Sequence, residues 1–218
     1  MESRTVYRPL FRKFFRAQGW TLNGSELAHH RRCVVIAAPH TTNWDLVYTL
    51  VSFDLMGLPV RFTVKKEFTR FPHGLYINQL GGIGIDRTPK DGSTERLSMV
   101  QAMINLFDEH PGDLAIVVTP EGTRSLRTEW KSGFYHVAKG AGVPILLGYL
   151  DYEKREAGIG KVIHPSDDYD ADMREIAAFY QTIAPKFPEL FSVDHRYVGD
   201  PPSEKEEFQT PSKKRSAL

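Results

Sequence analysis

Three uninterrupted apolar runs constrain this chain more than any other feature: Val34–Ala38, Leu114–Val118 and Val143–Leu150. A strand that is apolar on successive residues hides both of its faces, which happens when helices cover both sides of a mostly parallel sheet. The segments between the runs have helical character. Leu97, Val100, Met103, Ile104 and Phe107 recur at helical spacing, predicting a helix over Asp91–Phe107. Further helices are expected over Trp44–Met56, closed by Gly57 and Pro59, over Leu75–Leu80, Phe134–Lys139 and Tyr169–Ala184. Additional strand character lies in Arg61–Lys65, in the stretch before Asp86, and in Ile159–Ile163. The expected fold is a single α/β domain with a mostly parallel or mixed central sheet flanked by helices.

Composition narrows what such a domain can do. A chain of 218 residues, 41% hydrophobic and 25% charged, is large enough for one real core. A net charge of +1 argues against a nucleic-acid partner, which calls for a basic excess. The single cysteine, Cys33, rules out an internal disulfide and a thiolate zinc site, and its place at the head of an apolar strand assigns it to packing. No stretch reaches the roughly 18–20 apolar residues of a membrane span. Nothing resembles a signal peptide, so a reducing cytoplasmic setting is expected.

The chain divides into three parts. Residues 1–19 set Arg4, Arg8, Arg12, Lys13 and Arg16 against one acid, Glu2, with Leu10, Phe11, Phe14 and Phe15 on the opposite side of a helical wheel. Pro9 suits a first helical position and Gly19 a C-terminal cap. Two readings stay open for this helix: an interfacial segment lying on an anionic membrane, or a terminal helix packing its phenylalanines on the domain. Residues 20–198 form the domain itself. Residues 199–218 shift to Pro, Ser, Glu, Lys and Gln, a composition that cannot order itself alone.

In sheets of this class the chemistry sits beyond the C-terminal ends of the strands. The first apolar run ends at Pro39 and presents His40. If a helix begins at Thr42 or Asn43, Asp45 falls in its first turn, where free amides and the helix dipole favour a carboxylate. From there Asp45 can accept the Nδ1 proton of His40 and steady it as a general base. No serine elbow accompanies the pair, so the proton removed belongs to a substrate alcohol or amine. The second run ends in Thr119-Pro-Glu-Gly-Thr-Arg-Ser125. The turn glycine Gly122, the hydroxyl of Thr123 and the guanidinium of Arg124 suit a phosphate, and Glu121 either holds Arg124 or bonds an acceptor hydroxyl. Arg87, after the glycine-rich Gly81–Ile85, is a second phosphate clamp, and Lys131 extends the basic wall.

The block His40-Thr-Thr-Asn-Trp-Asp45 resembles the His-x4-Asp box of the glycerophospholipid acyltransferases, the lysophosphatidate acyltransferase-like family. Gly81-Gly-Ile-Gly-Ile-Asp-Arg87 resembles the second block of that family, Thr119–Ser125 its Glu-Gly-Thr-Arg box, and Val143-Pro144-Ile145 the start of its fourth block. The resemblance covers residues 33–150, with the four blocks in order. It implies an O-acyltransferase with His40 as general base oriented by Asp45, and with Arg87, Glu121 and Arg124 on the acceptor head group. The donor would be acyl-CoA or acyl carrier protein and the acceptor a lysolipid, with no metal and no resident cofactor. Two positions depart from the family pattern: Gly84 where an aromatic is usual, and Leu147 where a second proline is usual. Both fall near the expected acceptor or acyl pocket and leave open another acceptor, such as an aminolipid. Two other classes compete: a lipid-binding module without catalysis, and a metal-dependent phosphoesterase built on His40, Asp45, Asp86 and Glu121.

Overall fold

The computed structural model describes residues 8–71, 74–85 and 97–198. It opens with α1 (Arg8–Ala17), β1 (Thr21–Asn23) and a 3-10 turn over Ser25–His29. Next come β2 (Arg32–Ala37), α2 (Asn43–Leu55), β3 (Val60–Lys65), a 3-10 turn over Lys66–Thr69, α3 (Gly74–Gln79) and β4 (Gly82–Ile85). The second half runs α4 (Met99–Glu109), β5 (Leu114–Val118), α5 (Gly133–Ala141), β6 (Ile145–Asp151), β7 (Glu156–Ile163) and α6 (Tyr169–Tyr180).

The strands form one sheet in the order β1-β7-β6-β2-β5-β3-β4. Strands β6, β2, β5, β3 and β4 are mutually parallel; β7 returns antiparallel on β6, and β1 lies parallel to β7. This is the mixed, mostly parallel sheet expected from the three apolar runs. Those runs are β2, β5 and β6, adjacent at the centre of the sheet. Val34, Ile36, Ile116 and Leu147 pack with α4, α5 and α6 on one face, through Phe107, Phe134, Val137 and Ile176. Cys33, Val35, Ala115 and Leu146 pack on the other face with Phe53 and Leu58, in and just beyond α2. Alternate residues of one apolar strand thus feed two separate cores. Cys33 is fully buried there, and burial pushes its thiol up to about 12, as a packing role requires.

Helix α1 lies against α2. Phe15 is only 1% exposed and packs with Trp20, Tyr48 and Val51, while Phe14 stacks on Trp44 and Tyr48 with ring centroids 5.8 and 6.3 Å apart. Arg12 donates to Asp54 near the end of α2 at 2.7 Å. Gly19 then takes φ +76 to close the helix, its amide bonded to Arg16 O. The phenylalanine side of this helix is therefore spent on the domain. Lys13 and Arg16 are exposed, with Leu10 67% exposed beside them.

Several boundaries differ from the sequence expectation. Helix α4 begins at Met99 because the Ser98 hydroxyl accepts the Gln101 amide and fixes the start there. Of the stretch expected to precede it, residues 91–96 lie outside the described residues. Helix α6 ends at Tyr180, four residues early, where the chain turns so that Ala184 O accepts the amide of Tyr152. Strand β7 starts earlier than expected, at Glu156, whose carboxylate accepts from Tyr149 across the hairpin at 2.5 Å. Residues 1–7 and the tail 199–218 are outside the described residues.

Candidate active site

The three central strands β6, β2 and β5 end at one edge of the sheet, and each delivers a group to the same place. Strand β2 leads through the cis Ala38–Pro39 peptide to His40. Two residues on, Thr42 is extended (φ -145, ψ 160), and its hydroxyl accepts the Trp44 amide, capping α2 at Asn43. Asp45 is the third helical residue and reaches back as a capping box requires. Its Oδ2 accepts the amides of Thr41 at 2.7 Å and Thr42 at 2.8 Å. Its Oδ1 accepts the hydroxyl of Tyr152, one residue past β6, at 2.6 Å. The carboxylate is 3% exposed.

The imidazole of His40 lies beside this carboxylate, Nδ1 standing 3.8 Å from Asp45 Oδ2. That is ion-pair range, longer than the hydrogen bond expected from the sequence. The reason is local: two backbone amides already hold the near oxygen. The His40 side chain is 21% exposed. Burial lowers its pKa from 6.5, with Arg124 acting in the same sense and Asp45 opposing. A neutral imidazole at pH 7, with Nδ1 turned toward Asp45, leaves Nε2 as the nitrogen able to take a proton.

Glu121 follows β5 and comes in behind the histidine. Its Oε1 accepts the backbone amide of His40 at 3.0 Å, so the carboxyl anchors the chain that carries the imidazole. It is 6% exposed, and burial pushes it up to about 7, its hydrogen bonds to amides partly opposing this. Among the described residues, the buried side-chain atoms left without a hydrogen-bond partner are Glu121 Oε2 and Thr41 Oγ1, both belonging to residues that frame His40. Glu121 does not hold Arg124. That guanidinium donates instead to the side chain of Asn43, the first residue of α2. Gly122 takes φ +66, and a Cβ there would meet Lys131 Nζ at 2.6 Å, so the lysine side chain passes directly over this turn. The Thr123 hydroxyl accepts the Ser125 amide at 3.3 Å. Gly122, Arg124 and Lys131 are all exposed. The loop is tied down from behind. Buried Asp194 accepts the Trp130 amide at 3.1 Å and two guanidinium bonds from Arg196, while Thr128 O accepts the His195 amide.

The structure therefore gathers His40, Asp45, Glu121, Gly122, Thr123, Arg124 and Lys131 at one edge. Arg87 and Asp86 lie outside the described residues; β4, which precedes them, ends at that edge two strands away from β5. Of the two departures from the family pattern, Leu147 is a fully buried core residue of β6. Gly84 lies beneath the Lys66–Thr69 turn, where a Cβ would meet Thr69 Oγ1 at 3.0 Å. An aromatic there would displace the turn. Sequence reasoning missed Asn43 and Tyr152. The one hint for Tyr152 is its place just beyond the third apolar run, at the edge where His40 emerges. No group of three or more His, Cys, Asp or Glu side chains among the described residues is placed to hold a metal ion. No helix among them is long and apolar enough to cross a membrane.

The acyltransferase family model matches residues 19–146, more than half of the chain and all of the site up to β6. No curated protein sequence matches. Among solved structures, the chain is similar to the 1-acyl-sn-glycerophosphate (LPA) acyltransferase PlsC from Thermotoga maritima. The TM-score is 0.51 at 18% identity, over 79% of this chain and 76% of that one. At that identity the likeness is one of fold.

Proposed function

The chain belongs to the acyltransferase family, and from that premise we propose that it moves a fatty acyl group from an acyl thioester to a hydroxyl of a lysophospholipid or glycerol-phosphate-type acceptor. The donor is acyl-CoA or acyl carrier protein. The observation that carries the reading is the arrangement of His40, its pKa lowered by burial, with Asp45 at 3.8 Å and Glu121 anchoring its backbone.

The step balances without a protein nucleophile. Nε2 of His40 takes the proton of the acceptor hydroxyl as its oxygen attacks the thioester carbonyl carbon. The tetrahedral adduct collapses, the C–S bond breaks, and the departing sulfur leaves as a thiol with the proton returned by the imidazolium. Asp45 steadies the imidazolium in between. General-base assistance of this kind supplies about 10²–10⁴-fold, and holding both substrates together supplies more. Arg124, Lys131 and Arg87 take the acceptor phosphate, which a planar guanidinium binds in bidentate fashion. Lipid substrates and the exposed basic side of α1, with Lys13 and Arg16, support peripheral attachment to an anionic membrane on its cytoplasmic face.

The test is thiol release from palmitoyl-CoA, followed with a thiol reagent, with and without 1-oleoyl lysophosphatidate. Wild type should release thiol in an acceptor-dependent way, and His40→Ala should lose about 10³-fold or more. Equal acceptor-dependent release by both proteins refutes His40 as the base. No release by wild type with lysophosphatidate, glycerol phosphate or an aminolipid, from either palmitoyl-CoA or palmitoyl-acyl carrier protein, refutes the reaction.

A further inference from the structure

Tyr152 lies outside every stretch that resembles the acyltransferase boxes and beyond the residues matched by the family model, yet it touches Asp45 directly. Among the described residues its phenol is one of three hydrogen-bond donors on that carboxylate, and the only one from a side chain. The other two are the amides of Thr41 and Thr42. They come from the same short loop as His40 and would follow any movement of it. Tyr152 enters from the far side, across the end of β6. Its position is set independently: its amide donates to Ala184 O at 2.9 Å, and its ring stands edge-on to Trp20 at 5.0 Å and 87° and to Tyr48 at 6.2 Å and 82°. Lys186 Nζ lies 5.9 Å over the same ring. Burial, together with the bond to Asp45, raises the phenol well above its usual 10, so it stays a donor across any working pH.

We propose that Tyr152 is a positioning residue for the His40–Asp45 pair, anchoring Asp45 Oδ1 so that Oδ2 is the oxygen facing His40, and drawing part of the carboxylate's charge away from the imidazole. This rests on reading His40 as the base. Two effects follow. With Oδ2 held by the Thr41 and Thr42 amides and Oδ1 by Tyr152, the carboxylate is fixed at both oxygens, and the 3.8 Å separation from Nδ1 is maintained. The charge that Asp45 presents to His40 is shared with a third donor, which helps burial to keep the imidazole neutral. Among the described residues, the other charged or titratable groups around the pair are Arg124, which lowers the His40 pKa; Glu121, bonded to the His40 amide; and Tyr48 and Lys186, which face Tyr152.

Tyr152→Phe keeps the ring and its contacts and removes the hydroxyl alone. With that donor gone, Asp45 acts on His40 at greater strength. The His40 imidazole, followed by NMR in the full-length chain without substrate, should then titrate higher by roughly half a pH unit or more. The acid limb of kcat against pH for thiol release should move up by the same amount. At the plateau kcat should fall by about tenfold, the effect of one hydrogen bond to a charged group, with KM for palmitoyl-CoA little changed. Tyr152→Ala is the comparison that also removes the ring. If the phenylalanine variant folds and its His40 titration is unmoved or falls, the proposal is overturned, whatever its activity. If the titration moves but wild type shows no acyl transfer, the function fails while the positioning role stands.

Discussion

His40 and Glu121 are shifted in opposite directions by the same burial. Desolvation disfavours the charged form of each, which lowers the histidine and raises the carboxylic acid to about 7. A glutamate whose folded pKa exceeds its unfolded value of 4.5 binds its proton more tightly in the fold. Its contribution is present at low pH and is lost as pH rises from 4.5 through about 7. Glu121→Gln keeps an oxygen for the His40 amide and removes the titration. It should be more stable than wild type by about 3 kcal/mol at pH 8 and differ little at pH 4, read by urea denaturation at both. His40, Asp45 and Glu121 were legible as residues because each lies within a short block that ends an apolar run. Tyr152 was not, because its bond to Asp45 spans 107 positions and no local pattern announces it. The His40–Asp45 spacing was readable, but not the 3.8 Å gap, which depends on where the Thr41 and Thr42 amides point.

Among the elements, α1 shows most clearly how a sequence pattern leaves two outcomes open. Its amphipathic wheel fits a bilayer surface and a protein surface equally well, since both accept phenylalanines on one side of a basic helix. In the fold, Phe15 is buried and Phe14 stacks on Trp44 and Tyr48, so insertion of that side into lipid would require undocking. The membrane attachment proposed above would then rest mainly on charge, with Lys13 and Arg16 exposed on α1. Lys13→Glu with Arg16→Glu should abolish cosedimentation with phosphatidylglycerol vesicles at low salt while leaving the melting temperature within a few degrees. Raising the salt should release wild type in the same way. Undiminished binding by the double variant removes α1 from the attachment. Strands β2, β5 and β6 could be read in advance because unbroken apolar runs have few other uses. Strand β7 was only partly visible, because its first residue is a glutamate made tolerable by Tyr149 across the hairpin. The start of α4 turned on one serine hydroxyl.

At the scale of the whole molecule, the site is assembled where three adjacent parallel strands end, and its loop is held by a segment far along the chain. Asp194 is the centre of that hold. Burial pushes its pKa up, but the bonds from Arg196 and the Trp130 amide outweigh this and leave it below the ordinary value. Asp194→Ala strands the Trp130 amide and releases Arg196. It should cost about 2–4 kcal/mol and expose the 123–129 loop to limited proteolysis, with thiol release lowered more than the fall in melting temperature explains. Cleavage at wild-type rates in the variant refutes the tether. The α/β architecture could be inferred from periodicity; this long-range hold could not, since it joins a buried aspartate to a loop amide 64 positions earlier.

That arrangement also separates, along the sequence, the residues of the candidate site from the segment that fastens its loop. The residues gathered around His40 run from 40 to 152, and all of them precede the segment that secures their loop. Tyr152 is itself held through Ala184 O, and the Glu121–Lys131 loop through Asp194, both later in the chain. Asp194 carries the hold on that loop, accepting the Trp130 amide and the Arg196 guanidinium. The loop beside His40 thus depends on a segment that lies beyond every residue of the candidate site itself.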